Sequence, residues 1–245
     1  MDLRGVKVLI TGGTSGIGLA TVEALLREEA SVIVVARDKN KLAALNNKHD
    51  LAGIYSCDLA NSKALITLGE QLVNDHPDLQ VLINNAGIQN NIQFDSDEST
   101  THKIEYEMQA NFLAPLLLIR TLLPVLKKQQ EAAILNVTTG LALVPKTNSA
   151  VYCGTKGGLR IFTQALRNQL AESNVRIIEI LPPVVETPMT VGRGSNKLHP
   201  DKVAAAILSS IKGRANEVYV SKTKLLYWLA RVSPAIARNM MRRLG

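Results

Sequence analysis

Short runs of apolar and β-branched residues alternate along the chain with longer segments whose apolar positions recur every three or four residues. The short runs fall at 6–10, 32–35, 53–56, 81–83, 133–137, 175–181 and 217–220 and predict seven strands. They are apolar almost throughout, which suits a parallel sheet covered on both faces. The longer segments, at 16–28, 39–47, 61–75, 99–127, 150–172 and 200–212, predict helices. Pro115 lies inside the fourth of these and is expected to kink it. Strand alternating with helix implies βαβ units and an α/β, doubly wound domain with a seven-stranded, mostly parallel sheet between helices.

The first strand runs into Thr11-Gly12-Gly13-Thr14-Ser15-Gly16-Ile17-Gly18, and a helical run follows. A glycine-rich turn in that position lets backbone approach a pyrophosphate, and the helix N-terminus meets its charge. With strand and helix both in place, the loop reads as a dinucleotide site in a Rossmann-type domain. The second strand ends in Val34-Val35-Ala36-Arg37-Asp38. A carboxylate at that tip binds the ribose hydroxyls of NAD, whereas an Arg accommodates a 2′-phosphate. Ala36 is uncharged and Arg37 follows it, so NADP (NADPH) is favoured over NAD. A solvated Arg37–Asp38 surface pair, or Asp38 on a ribose, remain the alternatives.

Of five tyrosines, only Tyr152 has a lysine, Lys156, four residues on. On a helix that spacing stacks phenol and ammonium on one face. A neighbouring cation favours the ionised phenol, so the pair suits proton exchange with an alcohol or carbonyl near neutral pH. A solvated helix face shows the same spacing.

The 245 residues suit one domain with a large core, and 46% hydrophobic with 20% charged residues is a globular composition. Cys57 and Cys153 stand far apart and the four histidines are scattered, so no disulfide framework or metal site is expected. This cysteine usage fits a reducing, cytoplasmic location. The N-terminus reads as a strand rather than a signal peptide, and no run of 18 apolar residues predicts a membrane span. The net charge is +7, yet residues 222–245 carry six cations and no acid, which leaves +1 for the rest. The body, 1–221, is therefore near neutral and no nucleic-acid partner is expected. The segment 222–245 reads as a basic amphipathic helical extension. Ser233-Pro234 starts its last helix as N-cap and N1. Such a stripe packs on its own domain or a sister subunit, or lies on an anionic membrane surface; packing is favoured.

Asp58 follows the third strand and Asn84-Asn85-Ala86-Gly87 the fourth. With the glycine loop and the Tyr152/Lys156 pair, the chain from about residue 7 to 187 resembles the short-chain dehydrogenase/reductase family. Thr139-Gly140-Leu141-Ala142 and Leu181-Pro182-Pro183 are similar to the bacterial DltE-like oxidoreductases. The resemblance implies that Gly12, Thr14, Ser15, Gly16, Ile17 and Gly18 hold the pyrophosphate. It further implies that Asp58 and Leu59 meet the adenine, and that Asn85, Ala86 and Gly87 meet the cofactor ribose. Pro182, Val185 and Thr187 would face the nicotinamide carboxamide. Tyr152 would be the general acid/base, Lys156 would hold the ribose and lower the Tyr152 pKa, and Asn111 would hold a relay water.

Two positions depart from the family pattern. Thr139 stands where Ser is usual; its hydroxyl can bind a carbonyl oxygen, or it turns away and Thr138 supplies the hydroxyl. Pro183 replaces a glycine and removes an N–H beside the nicotinamide. A short, mobile lid is expected at 188–199, with Arg193 and Lys197 offered to an acidic group. The other pocket walls are expected at 88–94 and 141–145, the second almost wholly apolar, so the substrate is an apolar carbonyl compound or secondary alcohol. By resemblance a homodimer or homotetramer is expected through 99–127 and 150–172, with Leu113, Leu116, Leu117 and Leu118 either as its apolar surface or facing the chain's own sheet. The chain thus reads as an NADP-dependent oxidoreductase. The rival is an NADP(H)-binding regulatory or scaffold protein whose catalysis is impaired by Thr139 and Pro183.

Overall fold

The computed structural model describes residues 1–92, 94 and 100–243. Gln93 of the expected pocket wall, Ser99 of the expected fourth helix, and Leu244 and Gly245 of the tail lie outside the described residues.

Seven parallel strands form one sheet: β1 (Lys7–Thr11), β2 (Ser31–Ala36), β3 (Gly53–Ser56), β4 (Val81–Asn84), β5 (Ala132–Val137), β6 (Val175–Leu181) and β7 (Glu217–Tyr219). Their order is β3-β2-β1-β4-β5-β6-β7. The period-2 geometry of a strand sends alternate side chains to opposite faces. Val8 and Ile10 therefore join one core layer with Val32 and Val34, while Leu9 joins the other with Ile33 and Val35. Helices α1 (Gly16–Arg27), α2 (Lys39–Lys48) and α7 (Pro200–Lys212) cover the first layer. Helices α3 (Ser62–Asp75), α5 (Ala114–Leu126) and α6 (Ala150–Gln169) cover the second.

Between α4 (Thr100–Met108) and α5 lies a π turn, Gln109–Leu113. Helix runs unbroken through all three, so Pro115 lies within it, in the first turn of α5, where the widened π turn before it accommodates the missing N–H. By length and composition Thr101–Leu126 qualifies as a membrane span. Its Leu118, Ile119, Leu122 and Leu126 are instead buried in this protein's own core. Leu118, one of the four leucines expected on an oligomer surface or against the sheet, is among them. Leu116 and Leu117 are half-buried and Leu113 is exposed.

The tail is two helices, α8 (Thr223–Val232) and α9 (Pro234–Arg243), with the break at Ser233. Ala237 N–H closes on the Ser233 carbonyl at 3.1 Å, consistent with a helix start at Ser233-Pro234. Val144, Ala237 and Met241 form a small core of their own, with Leu226 and Leu229 against it. The tail thus packs beside the loop after β5, over the C-terminal edge of the sheet.

Candidate active site

In the strand order β2-β1-β4, chain direction across the sheet reverses between β1 and β4. At such a switch point the loops diverge and leave a crevice at the strands' C-terminal ends. A cavity of about 850 Å³ opens there. One end is the glycine loop. Its Ser15 is the N-cap of α1 yet makes no side-chain capping bond, and no acidic residue sits in the first turn. The first-turn N–H groups are therefore left for an anion. Gly16 has φ +53, and a Cβ there would stand 2.8 Å from Thr187 Cγ2. A Cβ at Gly18 would stand 2.1 Å from the Gly12 carbonyl oxygen. Asn85 Nδ2 donates to the carbonyls of Thr11 (3.0 Å) and Gly12 (3.3 Å). The N–H groups of Asn85 and Ala86 both donate to Thr11 Oγ1 at 3.1 Å. The cradle is thus braced against β4 by groups other than glycine.

At the tip of β2, Asp38 accepts from the N–H of Asn40 and Lys41, 3.0 Å each, and caps α2. Oδ1 takes both capping bonds, while Oδ2 lies 3.9 Å from Lys41 Nζ and the residue lines the cavity. Arg37 and Lys41 line the cavity. Arg37 Nη1 donates to Tyr106 Oη at 2.5 Å, and Tyr106 Oη donates to the Asp58 carboxylate, 3.0 Å from both oxygens. Tyr106 thereby ties Arg37 to Asp58. A dinucleotide fits these residues: a glycine cradle at an uncapped helix start, two cations at the β2 tip, and Asp58, Leu59, Asn85, Ala86 and Gly87 along the wall.

Tyr152 and Lys156 stand on α6 one turn apart, both buried, and both line the cavity with Thr139. Lys156 Nζ donates to the Val137 carbonyl at 2.9 Å. Thr138 is committed elsewhere: its hydroxyl donates to Glu179 at 2.7 Å, and Glu179 meets Arg160 at 2.5 Å. Thr139 lines the cavity with Tyr152, and its Oγ1 accepts from Leu141 N–H at 3.3 Å. Asn111 lies behind the wall, fully buried. Its Oδ1 accepts from Ile88 N–H (2.8 Å), and its Nδ2 donates to the Ile88 carbonyl (2.7 Å) and Thr155 Oγ1 (3.3 Å). Its side chain therefore fixes the chain after β4. The regular helical donor for the Asn111 carbonyl would be residue 115, which is proline and has no N–H.

The Tyr152 phenol stands above its ordinary pKa, not below it. Burial raises it most, Cys153 and Glu107 add to the rise, and Thr139 and Arg193 oppose it. Desolvation disfavours the phenolate. Burial pushes Lys156 down to about 8, and Glu107 alone opposes this.

The family model for short chain dehydrogenases matches residues 6–198. The chain belongs to the short-chain dehydrogenase/reductase family. It is 38% identical to the uncharacterized oxidoreductase DltE of Bacillus subtilis, over 90% of this chain and 83% of that one. It is 31% identical to the ketoacyl reductase HetN of a Nostoc species, over 99% and 90% of the two chains. A short chain dehydrogenase of Burkholderia cenocepacia, solved in complex with NADP, superposes with a TM-score of 0.87 at 25% identity and covers 98% of this chain and 99% of that one. This chain is accordingly a nicotinamide-dependent oxidoreductase acting on CH–OH or C=O groups, in the DltE-like branch.

The cavity collects every expected cofactor residue, Pro182, Val185 and Thr187 included, and every expected catalytic residue except Asn111. Pro183 lines it as well, and the Pro182 carbonyl accepts from Gly140 N–H at 3.0 Å. The lid is tied at several points rather than loose. Val185 and Leu198 form a parallel bridge, Lys197 Nζ donates to the Thr190 carbonyl, and Arg193 Nη2 donates to the Gln89 carbonyl at 3.2 Å. Lys197 is thus engaged within the lid, while Arg193 lines the cavity. Sequence reasoning missed Tyr106, Glu107 and the tail wall. Glu107 is fully buried, accepts from Asn90 N–H and Nδ2 at 3.0 Å, and keeps Oε1 without a partner. It stands one helical turn before Asn111, the spacing that signals a shared face. Leu225, Leu226, Leu229, Met240 and Met241 line the substrate end, where only an outer packing role was expected.

Proposed function

We propose that the chain is an NADPH-dependent reductase of an apolar carbonyl compound, with Tyr152 as general acid. The observation that carries this is one cavity shared by the glycine cradle and the Thr139–Tyr152–Lys156 cluster. The support for NADP is that two cations, Arg37 and Lys41, line the cavity at the β2 tip, while Asp38 beside them spends Oδ1 on capping α2. The nicotinamide, when bound, supplies the hydride. The chain's own groups handle the proton. Thr139 Oγ1 and Tyr152 Oη hold the carbonyl oxygen, and Tyr152 donates to it. Burial keeps the phenol protonated, the form that donates to a carbonyl oxygen. Lys156 sits one turn away as the cation that stabilises the phenolate left behind. The Asn111 carbonyl, lacking a proline donor, is the acceptor for a relay water.

The apolar tail wall and Leu141 favour a substrate with an alkyl portion, and the ketoacyl reductase relative agrees with that class. We also propose a homo-oligomer through the exposed Leu113 of the π turn and Ile161 of α6, and a cytoplasmic site of action. Purified protein given NADPH or NADH with medium-chain ketones, aldehydes and 3-oxoacyl thioesters tests the reading. Turnover with NADPH that vanishes in Tyr152→Phe is expected. No turnover with any of them, or a preference for NADH, overturns it.

A further inference from the structure

The tail helices bury one face and expose an apolar one. Thr223 and Leu226 of α8 face Gly140, where a Cβ would meet both at 3.4 Å. Leu225, Trp228 and Val232 lie on the opposite stripe at i, i+3 and i+7, and are 72%, 55% and 81% exposed. On α9, Ile236 and Met240 sit one turn apart and are 58% and 41% exposed. Leu225 and Met240 also line the cavity, so apolar surface runs from its mouth onto both helices. Lys222, Lys224, Arg231, Arg238 and Arg242 are exposed along the same helices, and no acidic residue follows Glu217.

We propose that the α8–α9 face docks on an anionic lipid bilayer and sets the cavity mouth against the membrane surface. An apolar stripe bordered by cations is the pattern of a helix lying in a bilayer interface, with tryptophan at headgroup depth. A second copy is a poorer occupant. Two-fold pairing sets the same patch against itself and opposes these cations to one another, and like-charge juxtaposition disfavours the contact. A negatively charged membrane meets both the apolar and the cationic part of the face. Docked in this way, the protein receives a carbonyl substrate directly from the bilayer. That consequence rests on the reductase reading; the docking itself does not, and its test needs no turnover.

Trp228 is the chain's single tryptophan, so its fluorescence reports on this face alone. The full-length protein is mixed with phosphatidylglycerol vesicles or with phosphatidylcholine vesicles. With phosphatidylglycerol the emission shifts to the blue, brominated acyl chains quench it, and the protein sediments with the vesicles. Each Lys or Arg near an anionic surface strengthens binding by roughly fivefold. Lys224→Glu with Arg231→Glu therefore weakens it by at least about 20-fold, and added salt does the same. Val232→Ser weakens it without changing charge. Both variants alter exposed positions outside the cavity lining, so turnover of a water-soluble substrate stays as before. Absence of sedimentation and of any shift with phosphatidylglycerol overturns the proposal, as does equal binding to both vesicle types. A blue shift that follows protein concentration without lipid, with a dimer lost in Val232→Ser, shows that a sister subunit covers the face and also overturns it.

Discussion

The two ends of the cavity are built differently. At the nucleotide end, the groups sit on the tips of β1, β2 and β4, which are neighbours in the sheet, and short loops carry them. Backbone does much of the holding, so shape is inflexible: a single methyl at Gly18 would strike the Gly12 carbonyl. At the substrate end, the walls come from the loop after β5, the lid after β6 and two tail helices. They are joined by side-chain packing between segments far apart in sequence. The first end repeats wherever the same cofactor is used. The second is where a family sharing one fold varies what it acts on.

The contrast can be broken most forcefully at the junction of the two ends. Tyr152→Phe removes the proton donor and is expected to lower kcat by about 10²–10⁴-fold, while calorimetry still detects NADPH binding. Undiminished turnover would leave the phenol without a role. Next comes the support under the site. Glu179→Ala removes the closest partner of the buried Arg160 guanidinium, which keeps Glu217 at 3.6 Å and Tyr219 Oη at 3.2 Å, and is expected to cost about 1.5–3 kcal/mol in a thermal or urea melt. Replacing both partners by apolar residues should cost less than the single change.

At the nucleotide end, Arg37→Ala removes a charged contact worth about 1.5–3 kcal/mol, so NADPH should bind roughly 10–150-fold more weakly. NADH affinity should hardly move, and equal losses would place Arg37 away from the 2′-phosphate. The pH dependence is a finer probe. Lys156 titrates at about 8 in the folded protein, below its ordinary 10.5, so its charge is lost as pH rises through about 8. kcat/KM for NADPH should fall there, since it reports the free enzyme. Glu107→Gln removes the anion that keeps Lys156 charged and should move that fall to lower pH. Stability has the opposite sign. The buried cation costs free energy below about 8, and stability recovers as pH rises from about 8 to 10.5 because the unfolded chain binds the extra proton in that window. The smallest effect belongs to Thr139→Ser. Thr139 lines the cavity with Tyr152 and serine keeps the hydroxyl, so kcat should change by less than about fivefold. A large gain would show that the methyl holds the site off its working geometry.

Most of this architecture is legible along the chain. The strands lie within about a residue of their apolar runs, because a strand buried on both faces has no other composition open to it. The glycine loop, Arg37, Asn85 and the Tyr152–Lys156 pair are legible because each acts through local geometry: a turn, a strand tip, one face of one helix. Asp38 was less so, since a carboxylate before a helix can cap it or bind a ribose, and only the positions of Asn40 and Lys41 show the cap.

What the sequence by itself determined is the fold, the cofactor class and the pair of residues poised for proton transfer. Local periodicity and short motifs carry all three. Tertiary structure decided the rest. Thr138 is taken from the site because Glu179, 41 residues on, claims its hydroxyl. The Tyr152 pKa rises rather than falls because burial is a property of the packed site and not of an i, i+4 spacing. The tail lines the substrate cavity because Leu226 and Met241 meet Val144 across nearly a hundred residues of chain. Such long-range packing leaves no periodic mark in sequence.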